Sequence, residues 1–177
     1  MKFRITQASS KLLLVSLCLM FLAGCAHSPT PPPAPDLTQL QIRQMQTREY
    51  SGVTELQVVK AVIGALMDEG FSISSTDKEL GVITAAKEVY ELDSSTKFAA
   101  EFNLGAGAGT YQTTLRSEAS SFIKTYGKNV QVRISIVQKA VSNAGGNIWS
   151  QPVYNATVYQ SIFSKVGKAV FLEKENM

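Results

Sequence analysis

Side chains able to move protons, bind metals or attack carbon are few in this chain, and their placement decides what chemistry is open to it. The 177 residues include one histidine, His27, and two cysteines, Cys18 and Cys25, all within the first 27 positions. Beyond residue 27 there is neither imidazole nor thiol. A Ser-His-Asp triad, a Cys-His pair, a Cys/His zinc site and an intramolecular disulfide are thereby removed from the body of the chain. Two acidic pairs remain, Asp68 with Glu69 and Asp77 with Glu79. Paired carboxylates can divide acid and base work between them, but the first pair falls at a helix end and the second in a turn, where carboxylates are ordinarily solvated. Gly105-Ala106-Gly107-Ala108-Gly109-Thr110 offers bare amides of the kind that cradle phosphates. It lacks the Gly-Lys-Ser/Thr ending of a phosphate loop and follows no clear strand, so it reads as a linker or a small-residue packing surface. Asn155-Ala156-Thr157 has the form of a glycosylation triplet and is expected to cap a helix instead. No catalytic residue, metal ligand or cofactor is assigned, and the protein is expected to be non-enzymatic.

Apolar side chains supply the other candidate site. Phe98, Phe102 and Leu104 lie in a stretch rich in Ser, Thr, Ala and Gly. Exposed, they would form a patch able to dock a partner or dip into a lipid surface; folded onto the sheet they are core, which is the favoured place for them. Charge narrows the partners. The formal net charge of +3 comes entirely from Lys2, Arg4 and Lys11, and the rest of the chain balances 14 basic against 14 acidic residues. Nucleic-acid binding needs clustered cations, so it is not expected.

Those three cations precede an apolar run from Leu12 to Ala23. Twelve residues fall short of the roughly 20 that span a bilayer as a helix, so the run reads as the core of a secretory signal. It ends in Leu22-Ala23-Gly24-Cys25, which resembles the lipobox of bacterial lipoproteins. The resemblance implies cleavage before Cys25 and a diacylglycerol on its sulfur, with an added N-acyl chain in Gram-negative envelopes. Each buried methylene is worth about 0.8 kcal/mol, and two chains anchor stably. Ala26, rather than an Asp, follows the cysteine, which implies transfer to the periplasmic face of the outer membrane. Five of the six prolines then fall between Pro29 and Pro35. Such a segment favours polyproline II, at about 3.1 Å per residue, and is expected to act as a spacer of roughly 30 Å.

The elements that follow are legible by period. Gln44 to Ser51 suggests a first strand. Thr54 opens a helix with Gln57 in a capping box, Val53 and Val58 as a hydrophobic staple, and Gly70 as its stop. Leu56, Val59, Ile63, Leu66 and Met67 mark its expected buried face, and Gly64 is expected where the helix nears a sheet. Phe71 to Ile73 and Leu80 to Tyr90 read as paired strands around a turn at Thr76-Asp77-Lys78-Glu79. Val130, Val132, Ile134 and Ile136 alternate with polar residues as a clear strand, Ser142 to Asn147 turns, and Ile148 to Tyr154 returns with Pro152 near an edge. Asn155 begins a last helix with Tyr159, Ile162, Phe163, Val166, Val170 and Phe171 on its face, Lys165 and Lys168 pointing outward. The expected organisation is a signal peptide over 1–24, the lipidated cysteine and Pro-rich linker over 25–41, and one α+β domain over 42–177. In that domain two helices pack on an antiparallel sheet, with 93–127 poorly defined. Phe98 and Phe102, four apart, suggest a short helix there, whereas Gln112 to Thr125 fits either helix or strand.

Gln46-Thr47-Arg48-Glu49-Tyr50, Ala65-Leu66-Met67-Asp68-Glu69-Gly70-Phe71 and Leu80-Gly81-Val82-Ile83-Thr84-Ala85-Ala86-Lys87, with Val158-Tyr159-Gln160-Ser161-Ile162-Phe163 and Ala169-Val170-Phe171-Leu172, resemble a family of small bacterial lipoproteins without an assigned activity. The helix followed by Gly-Phe and Leu-Gly strands is also similar to the helix-grip modules of a lipoprotein in the outer-membrane β-barrel assembly machinery. These resemblances imply a membrane-anchored accessory protein with an envelope protein as partner; the alternative is a carrier holding a lipid or other hydrophobic ligand between helix and sheet. In cells grown on radioactive palmitate, label is expected on the wild-type chain and absent from Cys25→Ala; equal label on both would remove the anchor.

Overall fold

The computed structural model describes residues 30–104 and 109–175. The signal segment, Cys25 and His27, and the centre of the glycine motif at 105–108, lie outside the described residues. The architecture is α+β and helix-grip-like: an open antiparallel sheet of six strands, gripped on one face by two long helices. In chain order the elements are α1 (Gln39–Gln46), β1 (Thr47–Ser51), α2 (Glu55–Asp68), β2 (Ser72–Asp77), β3 (Val82–Tyr90), α3 (Ser94–Leu104), β4 (Gln112–Tyr126), β5 (Asn129–Ser142), β6 (Asn147–Pro152) and α4 (Ala156–Glu175).

The strands run β1-β5-β4-β3-β2 across the sheet, and β6 also pairs with β5. β5 is long enough to serve two short partners on one edge, β1 along Asn129 to Arg133 and β6 along Val137 to Val141. Period-two alternation sends Val130, Val132, Ile134 and Ile136 of β5, Ala119 and Ile123 of β4, and Ile83 and Ala85 of β3 to one face. There they meet α2 through Val58, Val62 and Leu66 and α4 through Tyr159, Ile162 and Val166, all fully buried. The same face beyond the helix ends, around Val89, Ser117 and Gln138, is not covered by them and forms the floor of a cleft.

Helix starts follow their capping chemistry. Thr54 accepts from the Gln57 amide while Gln57 Oε1 accepts from Thr54 N–H at 2.8 Å, the box expected of α2. Gly70 at φ 83° and the Phe71 N–H donating to Leu66 O at 3.0 Å end it. The buried stripe is turned relative to expectation: Val58, Val59, Val62, Ala65 and Leu66 face the sheet, whereas Leu56 and Met67 are exposed. Gly64 lies on the solvent side, where an added Cβ would meet nothing, so no close approach to the sheet explains it. A second box, Thr38 with Gln41, starts α1, so Gln44 to Gln46 are helical and the first strand is shorter than the sequence suggested. Asn155 Oδ1 accepts from Thr157 N–H at 2.9 Å at the head of α4, whose Phe171 is exposed and whose Lys165 turns to α2. Gly81 sits at φ 67° where its carbonyl accepts from Ile123 N–H, and a Cβ there would lie 2.0 Å from Ile123 O.

Between β1 and β6 on that edge of β5, the Ile136 carbonyl accepts from Val153 N–H at 2.8 Å, just past the end of β6, but the Ile136 amide meets no backbone carbonyl. The Tyr159 hydroxyl takes that place, accepting from Ile136 N–H at 3.2 Å and donating to Val153 O at 2.9 Å, while Gln46 Nε2 donates to it at 3.4 Å. Burial pushes the phenol above its ordinary pKa. Tyr159→Phe leaves a buried amide without an acceptor, and is expected to cost about 1–3 kcal/mol in urea unfolding with the slope unchanged.

Candidate functional site

The C-terminal end of α2 is the most densely paired polar feature in the molecule. Its last carbonyls lack helical partners and carry the negative end of the helix dipole. Two lysines from other elements meet them: Lys87 of β3 donates to Glu69 O at 2.8 Å, and Lys165 of α4 donates to Asp68 O at 3.1 Å. The Glu69 carboxylate in turn accepts from Ser161 Oγ at 2.5 Å and pairs with Lys165 Nζ at 2.8 Å. Helix α2, helix α4 and strand β3 are thus tied at one point.

A serine, a carboxylate and an amine in contact invite comparison with a nucleophile and its base. The electrostatics oppose it. Hydrogen bonds from Lys165 and Ser161 hold the Glu69 carboxyl below its ordinary range, so it is a weak acceptor for the Ser161 proton at neutral pH. Asp68 meets this cluster through its backbone carbonyl, which accepts from Lys165. Asp77 Oδ1 accepts from the Glu79 and Leu80 amides at 3.0 and 2.9 Å, which makes it a turn residue. Tyr50, whose phenol is pushed up to about 12 by burial, is likewise unable to supply a phenolate near neutrality. Among the described residues no three His, Cys, Asp or Glu side chains gather as a metal site.

Above this clasp lies a cleft of about 760 Å³. Phe71, Ile136, Val158 and Ile162 line it with apolar surface, and Lys87, Ser117, Gln138, Gln151 and Asn155 bring polar groups to it. Residues 32–35 of the Pro-rich segment also line it, so this part of the linker lies along the domain instead of extending as a free spacer. Nothing in the order of these residues announces this, since a proline run is featureless until a surface receives it.

The opposite face of the sheet is solvated and carries a row of charges across three strands. Arg116 pairs with Glu88 at 3.1 Å and with Glu118 at 3.0 Å, and Glu118 with Lys139 at 2.6 Å. Lys139 and Arg116 hold the Glu118 carboxyl below its ordinary range. Its signs alternate, so it presents no net cationic surface.

Helix α3 lies in the connection from β3 to β4. Asp93 caps it, with Oδ1 accepting from Ser95 N–H at 3.1 Å and its carbonyl from Lys97 N–H at 3.0 Å. Phe98 and Phe102 stack on one another at 6.0 Å between ring centres and are 70% and 79% exposed. Their expected place in the core is therefore corrected: one helical turn separates them, as the spacing suggested, but the helix carries them away from the sheet. Leu104 is the last residue of α3; its side chain, like Cys25, lies outside the described part. Tyr90, at the end of β3 before the helix, is exposed as well and was not anticipated.

No family model and no curated protein matches the chain. Among solved structures, it is similar to a DUF4468 family protein from Bacteroides ovatus, at 11% identity over 78% of this chain and 89% of that one, with a TM-score of 0.37. It is also similar to a TBP-like protein from Parabacteroides distasonis, at 11% identity over 70% and 90% of the two chains, with a TM-score of 0.36.

Because the folded pKa of Glu69 is depressed, the stability it confers is complete above the ordinary carboxyl value of 4.5 and fades as pH falls through the lower folded value. Glu69→Ala is expected to cost about 1–2 kcal/mol at neutral pH, a difference that shrinks below about pH 4, read from urea midpoints across pH.

Proposed function

We propose that this protein is a non-enzymatic lipoprotein, held by acyl chains on Cys25 at the periplasmic face of the outer membrane, that acts through protein contacts in assembling or maintaining the cell envelope. Its signal segment and its resemblance to small bacterial lipoproteins support the address. The observation that carries the contact reading is the exposed Phe98–Phe102 stack. A single exposed apolar residue is unremarkable on a protein surface, but two large rings stacked on one helical turn make a compact patch, with the paired Lys97 and Glu101 on the same helix. Aromatic anchors with a polar rim are the usual energetic centre of a protein interface.

The carrier alternative draws on the cleft. Its apolar lining suits part of a hydrophobic ligand, but amides and Lys87 share that lining, and the helix–sheet interface beside it is filled by side chains such as Val62, Leu66 and Ile134. A site for a partner's side chains or backbone fits that lining better than a lipid tunnel.

Phe98→Ser combined with Phe102→Ser is expected to leave unfolding within about 0.5 kcal/mol of wild type, since both rings are exposed. Crosslinking in intact cells is expected to lose a protein neighbour in the same variant. Retained neighbours, or a lipid found with the natively purified chain by mass spectrometry, would turn the reading toward the carrier.

A further inference from the structure

One cross-strand row of side chains lies along the sheet side of the cleft. Lys87 of β3 pairs with Ser117 of β4, Ser117 with Gln138 of β5, and Gln138 with Gln151 of β6, so four successive strands place polar groups in line there. The row before it, Ala85, Ala119 and Ile136, is apolar and buried in the core. The row after it, Val89, Leu115 and Ala140, is apolar as well. We propose that the polar row binds an extended peptide of about four residues that ends in a free carboxylate, with the carboxylate seated on Lys87. This goes beyond the contact reading of α3 and rests on a separate surface.

The row is unsatisfied within the protein. Among the described residues, the side chains of Ser117, Gln138 and Gln151 meet no hydrogen-bond partner, although all three are half-buried. Each offers both a donor and an acceptor, the complement of a peptide group's carbonyl and amide. Lys87 gives one N–H to Glu69 O at 2.8 Å and keeps the other two of an ammonium's donors. The Glu69 carboxylate is bonded to Ser161 and Lys165 instead, and Lys87 makes no salt bridge among the described residues. An incoming carboxylate therefore finds a half-buried cation with donors to spare, and charge-assisted bonds of that kind are the strong ones.

Length and surroundings fit the same guest. Three strand-to-strand gaps of about 4.8 Å span roughly 14 Å, the reach of about four extended residues. Its side chains have Phe71, Val158 and Ile162 in the same lining to pack against. A fatty acid would satisfy Lys87 but leave Ser117, Gln138 and Gln151 facing methylenes, stripped of water with nothing in its place.

The probe is Val-Ala-Val-Ala with a fluorophore on its amino end, titrated by anisotropy onto the full chain in detergent micelles, both as the free acid and as the carboxamide. Wild type is expected to bind the acid at least tenfold more tightly than the carboxamide. Lys87→Met is expected to weaken the acid at least tenfold and to leave the carboxamide within about twofold, which separates the lost charge contact from any loosening at the end of α2. Gln138→Leu combined with Gln151→Leu is expected to weaken both forms at least fivefold at an unchanged melting temperature, since neither side chain bonds to the rest of the domain. Phe98→Ser with Phe102→Ser is expected to change neither affinity, so failure of the α3 reading and failure of this one are distinguishable. The proposal is overturned by the absence of saturable binding, by equal affinity for acid and carboxamide, or by a glutamine variant that binds as wild type does. Displacement by palmitate or by a disaccharide, with unlabelled peptide having no effect, would overturn it in favour of a lipid or a glycan.

Discussion

A β-strand shared by two partners on one edge leaves an amide between them that neither strand pairs, and here the Tyr159 hydroxyl accepts from it. An unpaired amide at Ile136, buried between sheet and helix, would cost as much as a lost hydrogen bond with no water to repay it. One phenol oxygen meets that amide, the Val153 carbonyl and the Gln46 side chain together. It thereby sets the rotation of α4, the end of β6 and the last turn of α1 against one another. Because α1 leads from the Pro-rich segment and β6 supplies one wall of the cleft, the same contact positions the cleft and the strand of linker along it.

The clasp at Glu69 completes what Tyr159 begins. Tyr159 secures the head of α4 to the sheet, and Ser161 and Lys165, on its next two turns, secure it to the end of α2. Lys87 reaches the same helix end from β3, with its ammonium 6.0 Å from the Phe71 ring. A buried or half-buried carboxylate is retained when it is fully bonded, and this one has a hydroxyl and an ammonium as donors. What resembles a catalytic group is therefore a joint, and the lowered proton affinity of Glu69 follows from the same bonds that make it one.

The sequence was readable where burial is one-sided and capping chemistry is explicit. Thr54 with Gln57, the Val130 to Ile136 alternation, and Asn155 before α4 each combine a local rule with a tertiary need. Strand β4 was not readable as such because its helix-facing positions include Ala119 and Ser121, small residues that let α2 approach and so dilute the hydrophobic period. The face of α2 was misjudged because Leu56 and Met67 are as apolar as the residues that are buried, and period alone does not fix which arc meets the sheet. Ahead of β1, Thr38 with Gln41 was a cap in plain view, but the weak alternation after Gln44 masked the helix it begins. The linker and the exposure of Phe98 lay beyond reach for a different reason: both depend on what is absent from the local sequence, a receiving surface in one case and a covering element in the other.

Helix α3 shows why that second absence matters. An eleven-residue helix is marginal in water by itself, since nucleation fixes several residues for the first hydrogen bond and most helical stability comes from packing an apolar face. Among its described side chains the two rings stack on each other and stay exposed, with the Asp93 cap and the Lys97–Glu101 pair adding at most a few tenths to about 1 kcal/mol each. β3 and β4 pair from Val82 with Phe122 to Tyr90 with Thr114, so their ladder does not include the helix. An insertion that leaves two aromatic rings in water raises the tendency to aggregate and contributes little to stability. It is this exposure, and no demand of the sheet ladder, on which the proposed partner contact rests.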